Sequence, residues 1–533
     1  MNVYALGAFA TFIVYIFVGN YAGRKVKNIE DYYVYGRNAP TVLIVGTLVA
    51  SFLSTVCFMG ETGFAYDGYV VPLLFLCGLN ACGYTVGVLF FGRFLRRSNA
   101  LTVCEYFGQR FNSRTVQVVA GITTVIGIGG YLVAVCQGAS ILMSELLGVS
   151  YGVALIIVWL VYTSFTFYSG SKGVLITDTI MFLFFTIATF MAAPVILKCT
   201  AGGWSSAIEQ LAVFAQKPGI VAFHGLTGSN ALWSTPLETI FWAVTMGIVW
   251  GLVVAVSPWQ SSRYLMAKNE HVAIRAAMFA GITYLLIYVI LHFSAASINL
   301  LNPNIMPSEK AFIWGVFNIL PTWMGVIVLG GIMAAALSSC STFLSLVGFS
   351  VSRDIMHGSG DNLKSLRTSR MIMLGVGLVS LIITYFQTPA VMWIGYFAAT
   401  LFAASWGPVA FMSVWSKRIT APAATVGILG GFCAVLVCES LNKFVGVSFP
   451  FYFSPPIIGG LFSLISVWVV SSMTTVTEAE KAYRAKLFVV PEEELDLKEI
   501  KRTKCYSKVI LGIAIVTFVF LYLMYVVPYS TAV

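Results

Sequence analysis

Charge is scarce in this chain of 533 residues: Asp, Glu, Lys and Arg make up 10% of it, against 59% hydrophobic residues and a mean hydropathy of +0.88. A water-soluble globule of this composition could not cover its surface, which excludes a soluble enzyme or binding domain. Histidine is rarer still, with four residues scattered along the sequence, and they suggest no metal cluster. The ten cysteines include no C-x-x-C pair. Cys57, Cys77, Cys136 and Cys340 fall inside apolar runs, where they read as small hydrophobes. Long polar stretches are missing too. The longest, residues 474–508, reads as a short cytoplasmic amphipathic helix with a turn at Pro491. No catalytic constellation appears, and the chain does not read as an enzyme.

What the sequence has instead is apolar runs of the length a helix needs to cross a bilayer, about 20 residues. They fall roughly at 3–22, 40–66, 69–95, 116–146, 150–168, 174–198, 238–258, 275–300, 321–350, 370–388, 390–416, 420–441, 452–473 and 508–527. The pattern predicts an all-α polytopic membrane protein with about 14 transmembrane helices. With the N-terminus placed outside, every one of the 31 Lys and Arg falls on the inner side except Lys198, Lys217, Lys310 and Lys443. That is the asymmetry the positive-inside rule demands, and it makes both termini extracytoplasmic. The net charge of +10 then follows membrane topology and calls for no nucleic-acid partner. No basic segment precedes the first run and no small-residue cleavage site follows it, so it reads as a retained helix and not as a signal peptide.

Spans two to six and seven to eleven form two groups of five, and repeating an odd number of spans turns the second copy upside down. The chain accordingly divides into a first helix and cytoplasmic loop (1–39), a first five-helix repeat (40–198), an extracellular loop (199–237), a second, inverted repeat (238–416), and three further helices (417–533) that include the cytoplasmic segment 474–508. The extracellular loop either covers the outer mouth or only connects.

Polar residues inside such spans carry the functional information. In residues 46–63 the apolar pattern is interrupted by Ser51, Ser54, Thr55 and Glu61. A helix unwound near 50–55 frees carbonyls for a cation; a continuous helix with hydroxyls bonded to the preceding turn is the other reading. In residues 330–345, GGIMAAALSSCSTFLS, hydroxyls crowd the centre of a span. On a helical wheel Ala335, Ser338 and Ser339 share an arc about 100° wide, and Ser338, Ser341 and Thr342 a second, overlapping one. Neutral oxygens suit a hard cation such as sodium, and two adjacent sites hinged on Ser338 fit the wheel. Asp178, near the inner end of the sixth span, is a rare intramembrane carboxylate that needs water or a partner, with Lys172 at the membrane edge as one choice.

At these residues the sequence resembles the sodium:solute symporter family, over about four fifths of its length. DYYVYGRN (31–38), TVCEYFGQRF (102–111), SGSKGVLITD (169–178), SPWQSSRYLMAKN (257–269) and AAALSSCST (334–342) are similar to family motifs in the family's order. Ser169 replaces a glycine, and Met181 stands where Gln is usual. The resemblance implies a LeuT-type 5+5 inverted repeat in the plasma membrane and sodium-coupled symport of a small organic solute by alternating access, with Na+ as coupling ion and no organic cofactor. It implies a first sodium site at Ala50, Leu53, Ala335, Ser338 and Ser339, and a second at Asp178, Ser338, Ser341 and Thr342. It implies a solute cavity near Ser54, Thr55, Cys57, Tyr131 and Trp250. Phe52 stands where the family's proline carrier has Asp, Gly130 where its sialic acid carrier has Arg, and Asn80 lies in a span that lacks the Glu of its sugar carriers. An organic acid such as pantothenate or a monocarboxylate, or an amino acid, is the expected solute. A proline-like or sugar symporter, and a sodium-dependent sensor acting with a separate signalling partner, are the alternatives.

Overall fold

The computed structural model describes residues 3–356, 362–387 and 391–533, apart from the side chains of 362–365 and 451. Part of the expected inner loop (357–361), the side chain of Lys364 and the junction of the expected tenth and eleventh spans (388–390) lie outside the described residues. Among the described residues, twelve helices are long and apolar enough to cross a membrane, and a thirteenth apolar helix, α2, is shorter. In chain order they are α1 (Val3–Gly23), α2 (Thr41–Phe52), α3 (Val56–Ser98), α4 (Arg114–Leu147), α5 (Tyr151–Ala201), α6 (Pro236–Met266), α7 (Glu270–Leu300), α8 (Thr322–Ile355), α9 (Leu366–Phe386), α10 (Val391–Trp415), α11 (Ala421–Val445), α12 (Pro455–Met473) and α13 (Leu497–Ala532). Among the described residues there is no strand, only an isolated bridge between Ala39 and Ala267.

Two of these helices are too long for one crossing. The 51 residues of α5 would span about 76 Å at 1.5 Å each, against an apolar core of roughly 30 Å. The backbone breaks at Gly170, with φ 52° and ψ −146°, a conformation that essentially only glycine adopts. In α3 the break falls at Gly68, with φ 120°. A third interruption, at Ser257 (ψ 145°), sits before Pro258, which opens the last turns of α6; proline disfavours helical backbone in the residue before it. Ser113, Asn269 and Thr420 cap the starts of α4, α7 and α11 with side-chain oxygens, and Thr235 with Glu238 forms a capping box for α6.

The packing places α8 at the centre, in contact with α1, α2, α4 and α5. From Met324 to Phe349 almost every residue of α8 is buried, so its polar residues face protein and not lipid. Helix α13 lies at the periphery against α7 and leaves Leu511, Ile515, Val516 and Phe518 exposed, as a lipid-facing helix does. The loop after α5 does more than connect. It carries a helix at Trp204–Ala212 and packs over the break in α3, where the Leu226 N–H donates to the Gly68 carbonyl (2.9 Å) and Lys217 Nζ to the Tyr66 carbonyl (2.9 Å). Burial lowers the Lys217 amine from 10.5 to about 8, an effect only partly offset by the Asp67 carboxylate. The polar segment before α13 forms a helix at Glu478–Phe488 and a turn after Pro491. Arg97 ties it to the bundle by donating to the Leu487 carbonyl (2.9 Å).

Candidate functional site

The chain leaves α2 at Leu53, whose φ −75° and ψ 97° are extended, and re-enters a helix at Val56. The hydroxyls here stabilise the break instead of bridging it. Ser54 Oγ accepts from the Val56 N–H (3.1 Å), the Ser54 carbonyl accepts from the Cys57 and Phe58 N–H groups (both 3.1 Å), and Thr55 Oγ1 donates across to the Val135 carbonyl of α4 (3.2 Å). Side chains that compete with the backbone for its own hydrogen bonds make an interruption inexpensive. Of the two readings open from sequence, the unwound one describes this segment.

Helix α8 meets that break with its serines. Ser338 Oγ lies 2.7 Å from the Ala50 carbonyl oxygen and 2.9 Å from the Ala335 carbonyl oxygen; Ser339 Oγ lies 3.4 Å from Ala50 O and 3.2 Å from Ser51 O. Two hydroxyls and carbonyls from two helices therefore converge in a wholly buried place. Each hydroxyl has one proton to donate and lone pairs besides. Turned outward, the same oxygens form a neutral cage for a hard monovalent cation. Ala50, Ala335, Ser338 and Ser339 are brought together. Leu53 closes the helix beside them, and its N–H donates to Val49.

The second arc is met in part. Asp178 is completely buried; its Oδ2 accepts from Thr47 Oγ1 of α2 (2.6 Å) and Thr342 Oγ1 of α8 (3.3 Å), while its Oδ1 has no partner. Ser341 is turned the other way and donates to the Ser338 carbonyl of its own helix (2.9 Å). Lys172 is not the partner of Asp178: it pairs with Asp31 at 3.0 Å. The residues missed from sequence are Thr47 and Arg263. Arg263, also buried, donates from Nη2 to Thr342 Oγ1 (2.6 Å), so one hydroxyl separates the guanidinium from the carboxylate. The motif SPWQSSRYLMAKN drew attention to the segment that carries Arg263, but no signal paired it with α5, 85 positions earlier in the chain.

Of the expected solute residues, the two aromatics pack against other rings. Tyr131 stacks on Phe343 (4.7 Å between centroids) and meets Trp259 edge-on (5.4 Å). Trp250 meets Phe52 (5.7 Å) and Tyr396 (4.9 Å) edge-on. The indole N–H groups of Trp250 and Trp259 and the Oε1 of Gln260 are buried and unpartnered, and the Nε2 of Gln260 reaches Ser51 Oγ at 3.4 Å. Orphaned buried polar atoms call for water, an ion or a ligand. Here they border the break in the helix. Cys57 lies beside Glu61 and His292, two residues that sequence reading left without a role.

At the C-terminal end of α8, Tyr33 is hydrogen-bonded to Ser352 and Ser369, Arg353 pairs with Glu105 (3.1 Å), and Asp354 accepts from Thr102 (2.7 Å) and Gln117 (3.0 Å). These contacts tie the end of α8 to the loops that carry the family-like motifs.

The profile described as "SSF: Sodium:solute symporter family" matches residues 32–431. The sodium/proline symporter of Salmonella typhimurium is 26% identical over 462 residues, covering 80% of this chain and 86% of its own. The sodium/pantothenate symporter of Escherichia coli strain K12 is 22% identical over 471 residues, covering 86% and 94%. Among solved structures, a substrate-bound outward-open state of a Na+-coupled sialic acid symporter has a TM-score of 0.75 at 18% identity, covering 90% of this chain and 99% of that one. At that identity the likeness speaks for the fold.

Proposed function

This chain belongs to the sodium:solute symporter family, a multi-pass membrane protein that couples sodium to the movement of a small solute, and from that premise we propose how its residues divide the work. Cutting α3 at Gly68 and α5 at Gly170 gives 14 crossings on our reading, with α2 and the start of α3 together forming one discontinuous span. The spans within 40–198 and 238–416 form two inverted repeats, and both termini lie outside the plasma membrane. The first sodium is held by Ala50, Leu53, Ala335, Ser338 and Ser339. The convergence of the Ser338 and Ser339 hydroxyls on the Ala50 and Ser51 carbonyls is the observation that carries this reading. A second sodium uses Asp178, Ser338 and Thr342, with Ser341 once its hydroxyl rotates out of its own helix.

Sodium joins the broken helix to α8 because its ligands come from both. The solute binds on the outer side of that junction, among Ser54, Thr55, Cys57, Tyr131 and Trp250. The donor-only indoles of Trp250 and Trp259 suit an acceptor such as a carboxylate. The similar proteins named above carry proline and pantothenate, both carboxylates. A small organic acid or amino acid is therefore the solute class, and opening of the inner contacts releases solute and ion down the sodium gradient.

The test is uptake into proteoliposomes under an inward sodium gradient, across labelled proline, pantothenate, monocarboxylates and sugars. Accumulation of a carboxylate that collapses when sodium is replaced by potassium, and that Ser338→Ala makes dependent on much higher sodium, is the expected result. Accumulation indifferent to sodium would sink the reading.

A further inference from the structure

Helices α3 and α7 bring together a second group of side chains, Cys57, Glu61 and His292, whose ligand atoms all lie within 4.8 Å of one another. All three are buried: Cys57 is 1%, Glu61 5% and His292 0% exposed. Cys57 and Glu61 share one face of the π-helical turn Val56–Glu61, immediately after the break, and π-turns recur at functional positions. His292 Nδ1 lies 2.8 Å from the Tyr288 carbonyl oxygen. A carbonyl only accepts, so Nδ1 carries the proton and Nε2 presents a lone pair. That Nε2 is wholly buried and has no partner. The carboxylate of Glu61 accepts one hydroxyl on each oxygen, from Tyr288 and from Tyr396 (the latter at 2.6 Å). Each oxygen keeps a second lone pair, and both partners are neutral.

We propose that Cys57, Glu61 and His292 form a site for a borderline-soft divalent cation of the zinc type, bound by one sulfur, one nitrogen and one oxygen, with a fourth position open. Three protein ligands and a free position are a common zinc arrangement, and the sulfur and imidazole select against sodium, magnesium and calcium, which take oxygen ligands. The surroundings match the outer shell of a metal site: the histidine donates its other N–H to a carbonyl, and the carboxylate is oriented by hydroxyls. Charge balances as well. Cys57 releases its proton to solvent, and thiolate plus carboxylate neutralise the dication inside an apolar span. The bound metal clamps the start of α3 to α7.

The test uses the full-length protein in detergent, with the exposed Cys82, Cys199, Cys433 and Cys505 replaced by serine, titrated with Co2+ as a coloured stand-in for zinc. Expected are one equivalent of binding, a thiolate-to-cobalt charge-transfer band, and displacement by Zn2+ but not by excess Na+. Cys57→Ser removes the band; His292→Gln and Glu61→Gln weaken binding about 10-fold or more, and Tyr396→Phe weakens it about 10-fold through the carboxylate's orientation. Size-exclusion profiles and circular dichroism establish that each variant is folded. No saturable single-equivalent binding in the folded protein, or a band that survives Cys57→Ser, overturns the proposal. The titration needs neither sodium nor solute, so its failure is distinguishable from failure of the transport reading.

Discussion

Ser338 bridges two helices through one hydroxyl, within 3 Å of Ala50 O and Ala335 O. Ser338→Ala removes an oxygen from both proposed sodium sites. At about 1.5–3 kcal/mol for a contact to a charged group, half-saturation for sodium should rise about 10- to 100-fold; Ser339→Ala should affect one site only and be milder. Sodium titrations of uptake check both. The relation among Ala335, Ser338 and Ser339 was legible because residues on one helix fix their own angles. Thr47 and Arg263 were not, because their meeting with Asp178 and Thr342 is made by packing between distant segments. Ser341 shows the limit even within a helix, since the wheel gives the face of a residue but not its rotamer. In the loop after α5, burial lowers the Lys217 amine from its usual 10.5 to about 8. The folded chain therefore binds fewer protons than the unfolded one between those values, and the loop packing strengthens as pH rises through the window. Competitive acylation followed by mass spectrometry should find Lys217 becoming reactive with a midpoint near pH 8. A midpoint near 10.5 would contradict the buried environment.

At the scale of elements, composition and run length were enough to find the helices, but the breaks were legible only in part. The cluster of Ser51, Ser54 and Thr55 marked the interruption after α2, because those side chains offer the backbone other hydrogen bonds. Gly68 and Gly170 carried no distinguishing signal among 48 glycines, since positive φ is a property of the fold around them. Gly170→Ala imposes a Cβ on a backbone with φ 52° and ψ −146° and brings it 2.5 Å from the ring of Tyr32. The expected cost is at least about 1–3 kcal/mol from the backbone alone, read as a lowered midpoint of thermal unfolding. Gly512, whose added Cβ would meet no neighbouring side chain or other segment within 4 Å, is the control, and Gly512→Ala should leave the midpoint unchanged or slightly raised.

At the scale of the whole molecule, sodium held at the proposed first site would bind the folded state across the junction of α2 and α8, so it should raise the unfolding midpoint with concentration. The stabilisation is about 2.7 kcal/mol at 100 times the dissociation constant, and Ser338→Ala should flatten that dependence while potassium stays inert. Orientation has its own check: Cys199 and Cys505 are both exposed. A membrane-impermeant maleimide applied to intact cells should label Cys199 and spare Cys505 if the basic loops face inward. Finally, the Asp178 carboxylate and the Arg263 guanidinium are linked through the Thr342 hydroxyl, and together they sum to zero. A charge crossing the membrane field exchanges about 2.3 kcal/mol per 100 mV, but a neutral pair gives the voltage no handle. The empty carrier can then reset electrically silent at this point, and the membrane potential acts on its cargo: voltage jumps without sodium should displace little charge, whereas Arg263→Gln should leave the carboxylate alone in the field and make the return step voltage-dependent.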